Sequence, residues 1–378
     1  MDGSVVTGPS TSPHRTPTRK VEIKSINLAL QGGGAHGAFT WGVLDRLIED
    51  ERIGIDGISA TSAGAMNVRV FASAIATGGR KGAKKALTEF WRRISHAALT
   101  SPLQPTLLER LLGNHSMAQS VGFVSFELMT RLFSPYEFNP LNRNPLRQVL
   151  LDSIDFDALS PTTCPIKLYL AATNVRTGKI KIFDNSELGV DAVLASACLP
   201  FLFRAVEIDG EAYWDGGYAG NPPIFPLIYN CSSSDVLIVQ LSPMRREELP
   251  HSSMEILNRI NEISFNSSLL REMRAIRFIT RLIDDGTVIN GSLRRMRIHT
   301  IEADDVIAKL RIASKLDADW EFLTSLRETV GAMAQRAFRP PRRRIHRRSP
   351  GCLHVTVVGA THHGLFRWRP GVGGRSND

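Results

Sequence analysis

Apolar residues along this chain recur at two periods, and the two take turns. Ile26 to Leu30 alternates and then closes into a short apolar run, which predicts a strand. From Ala38 the period lengthens. Phe39, Val43, Leu44, Leu47 and Ile48 share one side of a predicted helix, and Asp45, Arg46, Glu49 and Asp50 the other. Gly57 to Ala60 leads into a second strand-to-helix transition at Ala60-Thr61-Ser62-Ala63-Gly64, and a basic helix follows over Arg80 to Ala97. Pro145 to Ile154 and Val190 to Ala197 are further predicted helices. Ile166 to Thr173 is a buried strand, paired with Lys179 to Phe183 across Thr177-Gly178. Ala205 to Ile208 and Glu211 to Trp214 form a hairpin around Asp209-Gly210. The continuous apolar run Val236 to Leu241 predicts a strand buried on both faces. Met254 to Asp285 is a long amphipathic helix. Its stripe of Ile256, Ile260, Ile263, Leu270, Met273 and Ile279 is assigned to the core, and Arg271, Arg274, Arg277 and Arg281 to solvent. Arg297 to Ile301 is a last strand and Trp320 to Phe338 a closing helix. Strands alternating with helices predict an α/β fold of three layers, helices on both sides of a mainly parallel sheet.

Composition narrows the picture. A chain of 378 residues with 43% hydrophobic content can bury a large core. The four cysteines are scattered without metal-like spacing, which reads as reduced thiols of a cytoplasmic protein. The first 20 residues carry no apolar run and read as a disordered arm, not a signal peptide. No apolar run approaches the ~20 residues a membrane helix needs. The net charge of +9 resides entirely in the end of the chain, where residues 336–378 hold ten arginines and one acid. Residues 21–336 are therefore expected to form the folded body, giving no reason to expect nucleic-acid binding. Residues 337–378 read as a basic, disordered tail, with a membrane-surface or nucleic-acid patch as its alternative. Residues 98–145 mix proline breaks with large apolar side chains; they read as a helical insertion on the core, or as a lid or lipid-facing surface.

Three stretches could carry chemistry. Gly32, Gly33, Gly34, Ala35, His36 and Gly37 join the first strand to its helix. Gly32, Gly34 and Gly37 match the dinucleotide fingerprint, but the acid expected at the end of the next strand is missing, since Asp56 precedes that point. The underlying physics is broader: inward-turned backbone N–H groups at a helix start hold a pyrophosphate or a transition-state oxyanion alike. Ser62 sits in a variant of the G-x-S-x-G elbow with Ala60 at the first position and Gly64 at the last; read alone, it is a helix cap. Asp215-Gly216-Gly217 follows a strand, and alone it is a turn. No histidine has a context that suits a Ser–acid–His triad. His251 lies in a polar loop and His299 in a strand pattern, so a serine–carboxylate dyad is the better option.

Together these stretches, with Ala195-Ser196-Ala197-Cys198-Leu199-Pro200, resemble the patatin-like phospholipase family over about residues 24–230. The continuation with the long helix from Met254 is similar to a bacterial subgroup. The resemblance implies a patatin-like fold and a serine acyl hydrolase of lipids. Ser62 would attack an ester carbonyl, Asp215 would take its proton, and backbone N–H groups around Gly33, Gly34 and Ala35 would hold the oxyanion. It implies no metal and no cofactor. The partner is a lipid or other acyl ester, with any membrane contact peripheral, through residues 98–145 or the arginine tail. His36 stands where many members carry Arg or Lys, so an anion-holding role there is expected to weaken as pH rises. Competing readings are a dinucleotide-binding oxidoreductase and a non-catalytic lipid-surface protein that keeps the fold. Lipid class, acyl-chain length and oligomeric state are not encoded in these motifs.

Overall fold

A computed structural model describes residues 23–99, 132–156, 164–246, 248–287, 293–302, 310, 312–337 and 354–355, with residues 125, 129 and 130. The expected arm, most of the 98–145 insertion and nearly all of the tail lie outside the described residues. Nine strands among them form one sheet: β1 (Lys24–Leu30), β2 (Ile53–Ala60), β3 (Lys167–Asn174), β4 (Ile180–Asp184), β5 (Val206–Ile208), β6 (Glu211–Asp215), β7 (Asp235–Gln240), β8 (Arg297–Glu302) and β9 (His354–Val355). The centre, in the order β3-β2-β1-β7-β8, is parallel. The antiparallel pairs lie toward the edges: β3 with β4 and β6, β5 with β6, and β8 with β9. Asp209 and Gly210 turn the β5–β6 hairpin with φ of 52° and 77°. Two successive left-handed residues make the turn that matches strand twist.

Helices among the described residues include α1 (Gly37–Glu49), α2 (Ala63–Ala98), α3 (Pro135–Phe138), α4 (Pro145–Ser153), α5 (Val190–Ser196), α6 (Phe225–Asn230), α7 (Ser253–Asp284) and α8 (Trp320–Ala337). Helix α2 breaks at Gly79, whose backbone is non-helical, so the basic helix expected from Arg80 begins at a real break. Strand periodicity sorts side chains into two cores. Leu28, Leu30, Leu168, Leu170, Leu237 and Val239 face the core shared with α1, α2, α4, α5 and α8. Their neighbours Ala29, Tyr169, Val236 and Ile238 face the one under α6 and α7. This is the three-layer arrangement. Each fully buried Leu or Ile contributes on the order of 1.5–3 kcal/mol.

Two assignments from the pattern are corrected. Asp45, placed on the polar side of α1, is buried and paired with Arg327 of α8 at 2.6 Å. Four members of the stripe on α7 are turned the other way: Ile256, Ile260, Ile263 and Leu270 are exposed, while Met273 packs on the core as expected and Ile279 is half-buried. The inward seam is Glu262, Asn266, Leu269, Ile276 and Thr280. It wins because its polar members have fixed partners. Glu262 pairs with Arg246 and Arg259, and Asn266 meets Gln31 and the carbonyl of Pro243. Hydrophobicity alone picks the wrong side when the inner side also carries hydrogen bonds.

Candidate active site

Ser62 stands at the carboxyl end of β2, between the strand and α2, with φ 55° and ψ −123°. For a non-glycine residue this backbone is strained, and such strain persists only where the surroundings hold it. The holding bonds are clear. The Ser62 N–H donates to Ser196 Oγ at 3.0 Å. Thr61 donates its N–H to Leu30 O and its hydroxyl to Gly220 O. Gly64 packs so closely on β1 that a Cβ there would lie 2.6 Å from Leu30 O. Ala60, in place of the first motif glycine, buries its methyl in the larger core without exposure.

Asp215 ends β6, opposite Ala172 of β3. Its backbone N–H donates to Cys198 O at 2.7 Å, and its carbonyl accepts from Thr173 Oγ1 at 2.8 Å. Its carboxylate accepts the Gly217 N–H at 2.7 Å. Gly216 opens a short 3-10 turn there. Burial raises the Asp215 carboxyl from 3.8 to about 6; the Gly217 N–H, Ser62 and the Lys315 ammonium pull the other way.

The glycine loop lies against the serine turn. A Cβ on Gly32 would stand 2.6 Å from Ser62 Cβ. The Gly32 N–H is already bound to Asn221 Oδ1 at 2.7 Å, and Gly37 N–H returns to Gly34 and Ala35 carbonyls. Gly32 and Gly37 therefore anchor the loop, and their amides are not open to an anion. The N–H groups of Gly33, Gly34 and Ala35 have no acceptor among the described residues, and neither has that of Ala63, directly after Ser62. Gly34 has φ +59°, and a Cβ on it would meet Lys315 O at 2.2 Å.

His36 is not the titrating group the sequence suggested. It is buried, its Nε2 lies 2.8 Å from Ser314 Oγ, and its ring meets Phe322 edge-on. Burial and the nearby Lys315 ammonium push it down to about 3, so it is neutral across the physiological range. The other two histidines weighed stand apart. His299 bonds Asp235 Oδ1 at 2.9 Å at the amino end of β7, and His251 is exposed.

Sequence reasoning missed five supporting residues. Ser196 and Cys198 were visible only as part of a family-like segment. Asn221 and Gln31 form a buried amide network: Gln31 Nε2 donates to Asn221 O and Asn266 Oδ1, and Gln31 Oε1 accepts from Leu241 and Ser242 N–H. A polar Gln31 directly after an apolar strand was the available signal. Lys315 had none; it reaches the glycine loop from a 3-10 turn over Ile312–Leu316.

The arrangement sets a strained serine, a buried carboxylate and amides without an acceptor among the described residues at the carboxyl ends of the parallel strands. The sequence model of the patatin-like phospholipase family matches residues 28–228, and the chain belongs to that family. Membership carries a lipase- or esterase-type function. Among solved structures the chain is similar to VipD from Legionella pneumophila, at 15% identity over 84% of this chain and 72% of that one, with a TM-score of 0.32. It is also similar to the heterodimeric ExoU–SpcU complex from the type III secretion system of Pseudomonas aeruginosa. There the identity is 17% over 81% of this chain and 72% of that one, with a TM-score of 0.31. Comparison with curated proteins gives no match.

Proposed function

We propose that this protein is a serine acyl hydrolase that cleaves fatty-acyl esters of lipids with a Ser62–Asp215 dyad. The observation that supports the reading is that the strained Ser62 turn and the buried Asp215 are both held by one short segment, Ser62 N–H on Ser196 Oγ and Asp215 N–H on Cys198 O. Ser62 Oγ attacks the ester carbonyl while its proton passes to Asp215. The developing oxyanion is met by the N–H groups of Gly33, Gly34 and Ala35, with Ala63 N–H as a further donor. Collapse expels the alcohol, which takes the proton back from Asp215. Water, deprotonated by Asp215, then attacks the acyl-serine and frees Ser62. The buried pocket keeps the base near neutral pH, where proton transfer in both directions is favourable.

The test is hydrolysis of a panel of acyl esters, with and without phosphate head groups, by wild type and Ser62→Ala, alongside labelling by a fluorophosphonate. Wild type is expected to label at Ser62, and the variant to lose activity by on the order of 10⁶-fold. Normal turnover by Ser62→Ala, or a folded wild type that neither labels nor cleaves any ester, refutes the assignment.

A further inference from the structure

Helix α7 lies across the back of the site. On its inner side Phe265 packs edge-on against Tyr218 at 5.0 Å, Ser268 Oγ accepts the Asn221 N–H, and Glu272 accepts the N–H groups of Ile224 and Phe225. Its outer side is unusual. Ile256, Ile260, Ile263 and Leu270 are 45, 55, 55 and 43% exposed, and Ser267 completes their alternating spacing of four and three. The same seam continues as Arg274, Arg277 and Arg281, with Arg271 beside it, all exposed. Among the described residues none of these four arginines pairs with a carboxylate. The acids of α7 are engaged elsewhere: Glu255 caps the helix start, Glu262 is buried, Glu272 holds the α6 turn, and Asp284 pairs with Arg295. The outer seam thus runs roughly 38 Å at 1.5 Å per residue, apolar over its first half and cationic over its second.

We infer that this outer face of α7 docks the protein on an anionic phospholipid bilayer. The inference rests on the lipid-hydrolase reading of the site and names the surface that brings it to its substrate. Charge decides the occupant. A second copy packed in parallel would set arginines against arginines, and one packed antiparallel would set them against isoleucines. An anionic bilayer satisfies both halves at once. Acyl chains and the interface take the isoleucines, and phosphate or carboxylate head groups take the guanidinium groups.

The test uses the full chain, so that the arginine tail is the same in every sample. Two variants are compared with wild type: Arg271→Gln/Arg274→Gln/Arg277→Gln/Arg281→Gln, and Ile256→Ser/Ile260→Ser/Ile263→Ser. Binding is read by co-sedimentation with phosphatidylcholine vesicles containing about a third phosphatidylserine, and with pure phosphatidylcholine vesicles. Turnover of a short soluble ester checks the fold and the site separately from docking. Wild type is expected to prefer the anionic vesicles. The arginine variant should lose that preference by on the order of 10²–10³-fold in partitioning. The isoleucine variant should lose about tenfold or more on both vesicles. Soluble-ester turnover should stay at the wild-type level in both. Both variants binding anionic vesicles as wild type does overturns the inference, as does wild type that turns over the soluble ester but ignores the vesicles. A wild-type dimer abolished by the isoleucine substitutions, with vesicle binding unchanged, also overturns it and assigns the face to a second copy. Absence of soluble-ester turnover in wild type counts against the catalytic reading, while retained α7-dependent vesicle binding still upholds the docking face.

Discussion

Replacing Asp215 by Asn should make the protein more stable while removing its activity, and the gain should depend on pH. The carboxyl of Asp215 is 2% exposed and is raised by burial from 3.8 to about 6. A carboxylate whose pKa is higher in the folded state binds protons more tightly there than in the unfolded chain. Stability therefore falls as pH rises from about 3.8 through about 6, and the full penalty applies above that. At about 1.4 kcal/mol for each tenfold change in proton affinity, the penalty reaches roughly 3 kcal/mol at pH 8 and roughly 1.5 at pH 5. Asn is neutral at every pH and keeps an Oδ1 for the Gly217 N–H, so it escapes the penalty without losing that bond. Urea unfolding of wild type and Asp215→Asn at pH 5 and pH 8 measures the difference. The variant should be more stable at pH 8 by up to about 3 kcal/mol, with about half the gain at pH 5. A variant no more stable than wild type at pH 8, or a gain independent of pH, would refute the account of Asp215 as an ionised, buried base.

Ester hydrolysis by wild type should rise with pH through about 6 as Asp215 ionises, and a pH–rate profile of kcat/KM reads this directly. Lys315→Met removes a cation that favours the charged form of Asp215, so the same profile should move to higher pH; an unmoved or lowered midpoint contradicts that role. His36→Gln should leave the midpoint in place, because His36 is already neutral; a shift on this substitution would assign the titration to the imidazole. Ser196→Ala withdraws the acceptor from the Ser62 N–H and should destabilise the fold by about 1–3 kcal/mol in thermal unfolding, with a fall in kcat larger than any change in KM. Gly34→Ala meets both a left-handed backbone, at about 1–2 kcal/mol, and the Lys315 carbonyl, so it should cost more stability than an alanine at an open surface glycine.

Much of this was legible in the chain itself. The α/β alternation, the hairpin at Asp209-Gly210, the break before Arg80 and the turns around Ser62 and Asp215 follow from periodicity and local turn chemistry. Those signals lie within a few residues of the feature they announce. What was not legible depends on partners far away in sequence. Asp45 looks solvent-facing until Arg327 closes on it. His36 looks titratable until Ser314, Phe322 and Lys315 enclose it. The inward side of α7 is chosen by hydrogen bonds to Gln31, Asn221 and Ile224, not by the more apolar of its two stripes.

The short stretch Ser196-Ala197-Cys198 grips both halves of the proposed dyad: its hydroxyl holds the backbone of Ser62, and two residues on its carbonyl holds the backbone of Asp215. The two proposed catalytic residues thus share one three-residue span of chain as their backbone anchor. One residue inserted between positions 196 and 198 would pull the pair apart while sparing nearly all of the core.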